Sequence, residues 1–266
     1  MNADSGCPAV LTKGSVKRVA VITGGASGIG EGVVRRLAAR GGFVTVIADR
    51  DSTSAIDLAS ELREQGHESE ALALDVSVPD SIAEFYLKLD AMFGRCDVLV
   101  NNAGVAGLAP FAEVSQPLWN LTMSVNVNGP LLMTQHVAPL MARNGWGRVV
   151  NVTSISGLRA SAGRAAYGTS KAAMTGLTRQ MAIELAPQGI TVNAVAPGPV
   201  TTALSASTHS EKTRDTYSKM IPLGRYAMPG EVAAAVAFLC SDEAGFITGH
   251  TLPVDGGYMA AGILEI

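Results

Sequence analysis

The sequence predicts an α/β fold: one doubly wound, seven-stranded parallel sheet with helices on both faces. Three observations predict it. Short β-branched runs alternate with stretches of helical period along the chain, which is the pattern of successive βαβ units. The runs are apolar at consecutive positions, as expected of a sheet covered on both sides. A glycine-rich turn follows the first run and opens the first helix. No linker, internal repeat or low-complexity segment breaks the rhythm, so the 266 residues read as a single domain.

The strand runs are Arg18–Thr23, Phe43–Ala48, Ala71–Leu74, Val98–Val100, Arg148–Val152, Thr191–Val195 and Thr251–Val254. Helical periodicity covers Gly30–Ala39, Thr53–Gln65, Asp80–Phe93, Gln116–Arg143, Ala165–Ala186 and Glu231–Leu239. Two stretches stand apart. Residues 1–14 read as a flexible tail, leaving 15–266 as the folded domain. Pro197–Met220 is rich in Ser and Thr and only weakly periodic. It follows the sixth strand, at the carboxyl edge where open α/β sheets bind ligands. It reads as a substrate lid; the competing reading is a solvated pair of surface helices.

Composition narrows the function. Hydrophobic residues make up 47% and charged residues 16%, against about 25% charged in an average soluble chain. That excludes disorder. A net charge of −3 without a basic block argues against nucleic acid as the partner. Cys7, Cys96 and Cys240 form no C-x-x-C pair and only four His are present, so no metal site is expected. Free thiols suit a reducing compartment. The sequence has neither a signal-like apolar run at its start nor a membrane-length apolar stretch. The expected location is the cytoplasm, with no membrane partner.

The first turn reads Thr23-Gly24-Gly25-Ala26-Ser27-Gly28-Ile29-Gly30. Small residues let a backbone approach a pyrophosphate, and a helix N-terminus offers free N–H groups. Gly24, Ser27, Gly28 and Ile29 are therefore cofactor candidates. No Gly-Lys-Ser/Thr is present, which argues against a nucleoside-triphosphate loop. Asp49 ends the second strand, 19 residues past Gly30, where an acid binds both ribose hydroxyls and repels a 2′-phosphate. That favours NAD over NADP. Arg50 beside it is the group that would pair with a 2′-phosphate. Asp75 and Val76, ending the third strand, are placed to read the adenine.

Asn101-Asn102-Ala103-Gly104 ends the fourth strand; Asn126, Ser154 and Tyr167-Gly168-Thr169-Ser170-Lys171 follow. Tyr167 and Lys171, four apart on one helix, share a face. A nearby ammonium favours the phenolate and lowers the phenol pKa. Ser154 adds a hydrogen bond to a substrate oxygen. Together these suit alcohol–ketone chemistry. Ser156 is the rival to Ser154, and the thirteen-residue spacing to Tyr167 favours Ser154.

With Pro197-Gly198 after the sixth strand and Val254-Asp255-Gly256-Gly257 near the end, these motifs resemble the short-chain dehydrogenase/reductase family, the single-domain branch of Rossmann-like fold. The resemblance runs from about Lys17 to Tyr258. It implies the strand order 3-2-1-4-5-6-7 and a catalytic tetrad of Asn126, Ser154, Tyr167 and Lys171. Tyr167 would be the general acid/base and Ser154 would polarise the carbonyl. Lys171 would hold the nicotinamide ribose and depress the Tyr167 pKa. Asn126 would distort its helix and hold a water in a proton relay. Asn102, Ala103 and Gly104 would line the adenosine side. Pro197, Gly198 and Val200 would frame the carboxamide, with Thr202 near the phosphates.

The implied activity is NAD-dependent oxidation of a secondary alcohol, or reduction of the ketone. The alternatives are an NADP-dependent carbonyl reductase or a non-catalytic NAD(H) sensor. The lid composition suggests a small polar alcohol: a sugar, polyol or hydroxy acid. Besides Ser154 and Tyr167, Arg159 and Leu204 are the substrate candidates; Arg159 and Arg164 both lie between Ser154 and Tyr167, where a guanidinium would bind an anion. Ala172–Ala186 and Gln116–Arg143 are apolar on too wide an arc for one core-facing stripe. A homotetramer is the expected assembly.

Overall fold

A computed structural model describes residues 17–262 and Leu264. The tail expected over 1–14 lies outside the described residues. Strand β1 (Arg18–Thr23) carries the run Val19–Ile22, almost wholly buried. Helix α1 (Gly28–Arg40) buries Val33, Val34, Leu37 and Ala38 at helical spacing and stops at Gly41. Then come β2 (Phe43–Asp49), α2 (Ser52–Glu64), β3 (Ser69–Ala73), α3 (Pro79–Phe93) and β4 (Val98–Asn101). Asp51 caps α2 by accepting from the Ser54 N–H, and Pro79 opens α3 at a position that needs no donor.

The second half runs α4 (Gln116–Met123), α5 (Gly129–Arg143), β5 (Gly147–Val152), α6 (Ala165–Leu185), β6 (Ile190–Pro197), α7 (Ala203–Thr208), α8 (Glu211–Met220), α9 (Pro229–Leu239) and β7 (Thr251–Val254). All seven strands are parallel, in the order 3-2-1-4-5-6-7.

Strand pleating divides the apolar runs between two cores. Ala20, Ile22, Val98, Val100 and Val150 pack with residues of α1, α2 and α9 on one face. Val19, Val21, Leu99 and Val149 pack with Ile82, Phe85, Val137 and Met181 from α3, α5 and α6 on the other. Each Val, Leu, Ile, Phe or Met among them, fully buried, contributes roughly 1.5–3 kcal/mol. Because β1 pairs with β2 on one side and β4 on the other, the chain reverses its winding there. The loops leaving the two strands diverge, and a cleft opens at their carboxyl ends.

Two expectations change. Gln116–Arg143 is not one helix: α4 and α5 are separated by a π-helical turn, Ser124–Asn128. Within it the Asn126 side chain binds the backbone of Val105, which draws that turn out of regular spacing. Pro197–Met220 contains two helices. Helix α7 is short and is opened by a Thr202–Ser205 capping box. Helix α8 buries no residue, so it carries no apolar stripe for the sequence to reveal.

Candidate active site

The cleft has a volume of about 430 Å³ and runs from the tips of β2 and β3 to the start of α6. All the cofactor candidates line it: Gly24, Ser27, Gly28 and Ile29; Asp49, Arg50, Asp75 and Val76; Asn102, Ala103 and Gly104; Pro197, Gly198, Val200 and Thr202. Ser154, Tyr167, Lys171 and Leu204 line it as well.

At one end the glycine-rich turn is clamped to β4. Thr23 Oγ1 accepts from the Asn102 and Ala103 N–H groups at 3.0 and 3.1 Å. Asn102 Nδ2 donates to the carbonyls of Thr23 and Gly24 at 3.0 and 2.9 Å. Its donors thus hold the turn, at the edge of the cleft it lines. Gly30 makes the clamp possible, because a Cβ there would run into the Gly24 carbonyl. Ser27, at the N-cap of α1, places no side-chain hydrogen bond over the helix start. Thr202 faces it across the cleft, with Cγ2 only 3.4 Å from where a Cβ on Gly28 would stand.

Asp49 is held by two backbone donors, Ala26 N–H to Oδ2 and Asp51 N–H to Oδ1, both at 3.0 Å. Asp75 takes the hydroxyl of Ser77 at 2.6 Å and its N–H at 2.9 Å. The Ser77 hydroxyl is the main reason its carboxyl lies below the usual range. Arg50 is exposed beside these acids. Glycine cradle, free helix start and two fixed carboxylates fit a dinucleotide: backbone N–H groups for the phosphates, carboxylates for ribose and adenine.

At the other end, Tyr167 and Lys171 project from the first turns of α6. Lys171 is buried, and its Nζ donates to the Val152 carbonyl at 2.9 Å. Burial pushes its pKa down to about 8. Its ammonium lies 5.8 Å from the Tyr167 ring centroid. Burial pushes the Tyr167 phenol upward, and the opposing pulls come from Ser154 and Arg164. Burial of the phenolate outweighs both pulls. Ser154 lies two residues past β5, is buried, and accepts the Ser156 N–H at 3.1 Å.

Asn126 is buried in the π-helical turn. Its Oδ1 accepts from Val105 N–H at 2.9 Å; its Nδ2 donates to the Val105 carbonyl and to Ser170 Oγ at 3.0 and 2.9 Å. Gly104 keeps the space beside it open. A Cβ there would lie 3.3 Å from Asn126 Oδ1 and 3.4 Å from Lys171 Nζ.

One substrate candidate falls outside. Arg159 is exposed, is not part of the cleft wall, and stacks 5.4 Å over the Tyr258 ring. The turn after Ser154 carries it away from the site, whereas Arg164 lines the cleft. His209 and Tyr217 also line it. No sequence pattern marks them, because His209 follows the short α7, Tyr217 lies in α8, and His209 meets Arg164 only through the tertiary fold.

Cradle and catalytic wall define the class, an oxidoreductase built on a dinucleotide-binding fold. The model described as enoyl-(acyl carrier protein) reductase matches residues 24–259, and the chain belongs to the short-chain dehydrogenase/reductase family. It is 43% identical over 245 residues to a cis-4-hydroxycyclohexanecarboxylate dehydrogenase of Sinomonas cyclohexanicum, covering 92% of this chain and 97% of that protein. It is 36% identical to a 3-oxoacyl-[acyl-carrier-protein] reductase of Aquifex aeolicus, with 90% and 96% covered. A gluconate 5-dehydrogenase of Burkholderia cenocepacia, solved with NADP and tartrate, superposes with a TM-score of 0.88 at 34% identity, covering 92% of this chain and 96% of that one. No helix among the described residues is long and apolar enough to cross a membrane.

Proposed function

We propose that the protein is an NAD-dependent enzyme interconverting a secondary alcohol and a ketone, with Tyr167 as general acid/base. The observation that carries this reading is the convergence of Ser154, Tyr167 and Lys171 on one wall of the cleft that holds the glycine cradle. When bound, the nicotinamide supplies or accepts the hydride. The chain's own residues handle the proton. In reduction, the Tyr167 phenol donates to the forming alkoxide while the Ser154 hydroxyl hydrogen-bonds the same oxygen. In oxidation, the Tyr167 phenolate removes the hydroxyl proton. Lys171 holds the ribose, and the gap beside Gly104 takes a water between Lys171 and Asn126 as the proton's exit.

Since burial raises the Tyr167 pKa, the phenol form persists at neutral pH. Reduction is therefore lost and oxidation gained as pH rises through that pKa.

Asp49 favours NAD, because its fixed carboxylate would face a 2′-phosphate. The second reading, NADP, rests on the exposed Arg50 beside it and on the NADP held by the solved gluconate dehydrogenase relative. The substrate reading is a small polar alcohol: sugar, polyol or hydroxy acid. Relatives that act on a hydroxycyclohexanecarboxylate and on gluconate support it.

The proposed assembly is a cytoplasmic homotetramer. Its support is Ile183, 76% exposed on α6, and Phe246, fully exposed ahead of β7, the edge strand. A monomeric mass by light scattering would refute the assembly. The activity is tested by screening alcohols and ketones with NAD(H) and NADP(H) and following absorbance of the reduced cofactor. Turnover that Tyr167→Phe abolishes supports the enzyme; cofactor binding without turnover of any alcohol supports a sensor.

A further inference from the structure

The substrate end of the cleft holds a charge arrangement that the hydride chemistry does not use. Arg164 caps the start of α6, three residues before Tyr167, and its guanidinium carbon lies 5.7 Å from the Tyr167 ring centroid. Its Nη2 is 2.9 Å from His209 Nε2. A guanidinium has no acceptor, so His209 Nε2 must accept, which fixes the imidazole as neutral with its proton on Nδ1. That N–H then donates to the Tyr226 hydroxyl at 2.9 Å.

Burial first, then the charges of Arg164 and Arg214, hold the His209 pKa below its ordinary value. The other groups around the ring are Tyr217, stacked at 5.3 Å, and Tyr226, edge-on at 5.9 Å. The chain thus orients Arg164 with a neutral partner and leaves its charge unbalanced.

Seven of the chain's fourteen arginines are paired with an acid. Arg18, Arg35, Arg40, Arg63, Arg95, Arg143 and Arg225 each meet a carboxylate within 4.0 Å. Neither Arg164 nor Arg214 does so among the described residues. The only acids in the cleft wall, Asp49 and Asp75, stand at the opposite end. A partly desolvated guanidinium without an acidic partner, aimed into a cleft beside the reacting hydroxyl, favours an anionic ligand.

We propose that Arg164, oriented by His209 and Tyr226, binds the carboxylate of the substrate, so that the alcohol oxidised is a hydroxy acid and the ketone reduced is an oxo acid. The proposal rests on the dehydrogenase reading above and selects one substrate class within it. Arg164 is a binding residue; His209 and Tyr226 are positioning residues that act through it. A planar carboxylate matches two of the four guanidinium N–H groups that His209 leaves free.

The test compares short hydroxy acids with their carboxamides and with phosphate esters of matching diols, in wild type, Arg164→Met and Arg164→Lys. Wild type is expected to favour acid over amide. In Arg164→Met the acid-to-amide ratio of kcat/KM falls about ten- to a hundredfold, mostly through KM, as expected for a lost charged hydrogen bond. Arg164→Lys, which keeps the charge and loses the fork, falls in between and serves if the Met variant does not fold. Effects of Arg164 on the Tyr167 phenol act on both substrates and cancel in the ratio.

An unchanged ratio in both variants, or wild type indifferent to the acid, overturns the proposal. Preference for the phosphate esters overturns the carboxylate assignment. Failure to turn over any alcohol or ketone would count against the dehydrogenase reading instead. In that event calorimetry of benzoate against benzamide, with NADH present, still decides the matter. Benzoate binding that weakens in Arg164→Met supports the proposal, and equal binding of the two refutes it.

Discussion

The two ends of the cleft carry opposite charge and are built by different means. The cofactor end presents the carboxylates of Asp49 and Asp75, held at the strand tips by Asp51 N–H and the N–H of Ala26 in the glycine-rich turn for one, and by Ser77 for the other. The substrate end presents Arg164 and Lys171, with no acid in the wall near them. Arg164 is oriented by His209 and Tyr226, 45 and 62 residues further along the chain. Strand tips impose the first arrangement locally. The second exists only when the α7–α8 junction and the loop before α9 come up against the start of α6. One fold thus combines a cofactor end set by a short motif with a substrate end that tertiary packing assembles.

The largest expected effect lies at the junction of the two ends. Tyr167→Phe removes the transferable proton and should lower kcat by about a thousandfold. Titration of reduced-cofactor fluorescence would then show whether the cradle still binds. A kcat within tenfold of wild type would show that the proton comes from another group.

Gly30→Ala probes the cofactor end alone. Its methyl group meets the Gly24 carbonyl, and such overpacking costs about 1–3 kcal/mol. Chemical denaturation should show that loss, together with weaker cofactor binding. An unperturbed stability would mean that the clamp between the turn and β4 has slack.

The smallest expected effect is a pH dependence of stability at the substrate end. The Lys171 pKa is about 8 in the folded chain against 10.5 for a free lysine. Between those values the unfolded chain holds the extra proton, so stability from this group rises with pH. It is lowest below pH 8, where the charge is buried. Lys171→Met should flatten the rise relative to wild type by about 2 kcal/mol between neutral pH and pH 10. Parallel curves for the two proteins would mean that Lys171 keeps its charge at no cost.

The same contrast explains what was legible in the sequence. The alternation of runs predicted the sheet and its two-sided cover, because parallel strands must be apolar on both faces. The glycine turn, Asp49 and the Tyr167–Lys171 pair are local patterns, and all of them line the cleft. The π-helical turn was implied only by resemblance, since Asn126 distorts its helix through a bond to Val105, 21 residues earlier. Helix α8 was invisible because it has no buried face. Arg159 and Arg164 looked equivalent as two cations between Ser154 and Tyr167. Only the path of the turn after Ser154 sends Arg159 onto Tyr258 and brings Arg164 into the cleft.

On the proposed reading the acidic end of the cleft selects the cofactor and the basic end selects the substrate. The most direct measurement takes Asp49→Ala and Arg164→Met and determines for each the NAD-to-NADP ratio and the acid-to-amide ratio of kcat/KM. Each variant should move its own ratio by about tenfold or more and leave the other near the wild-type value. If Asp49→Ala leaves the cofactor ratio alone, or if either variant moves both ratios together, the division of the cleft into two selecting ends is wrong.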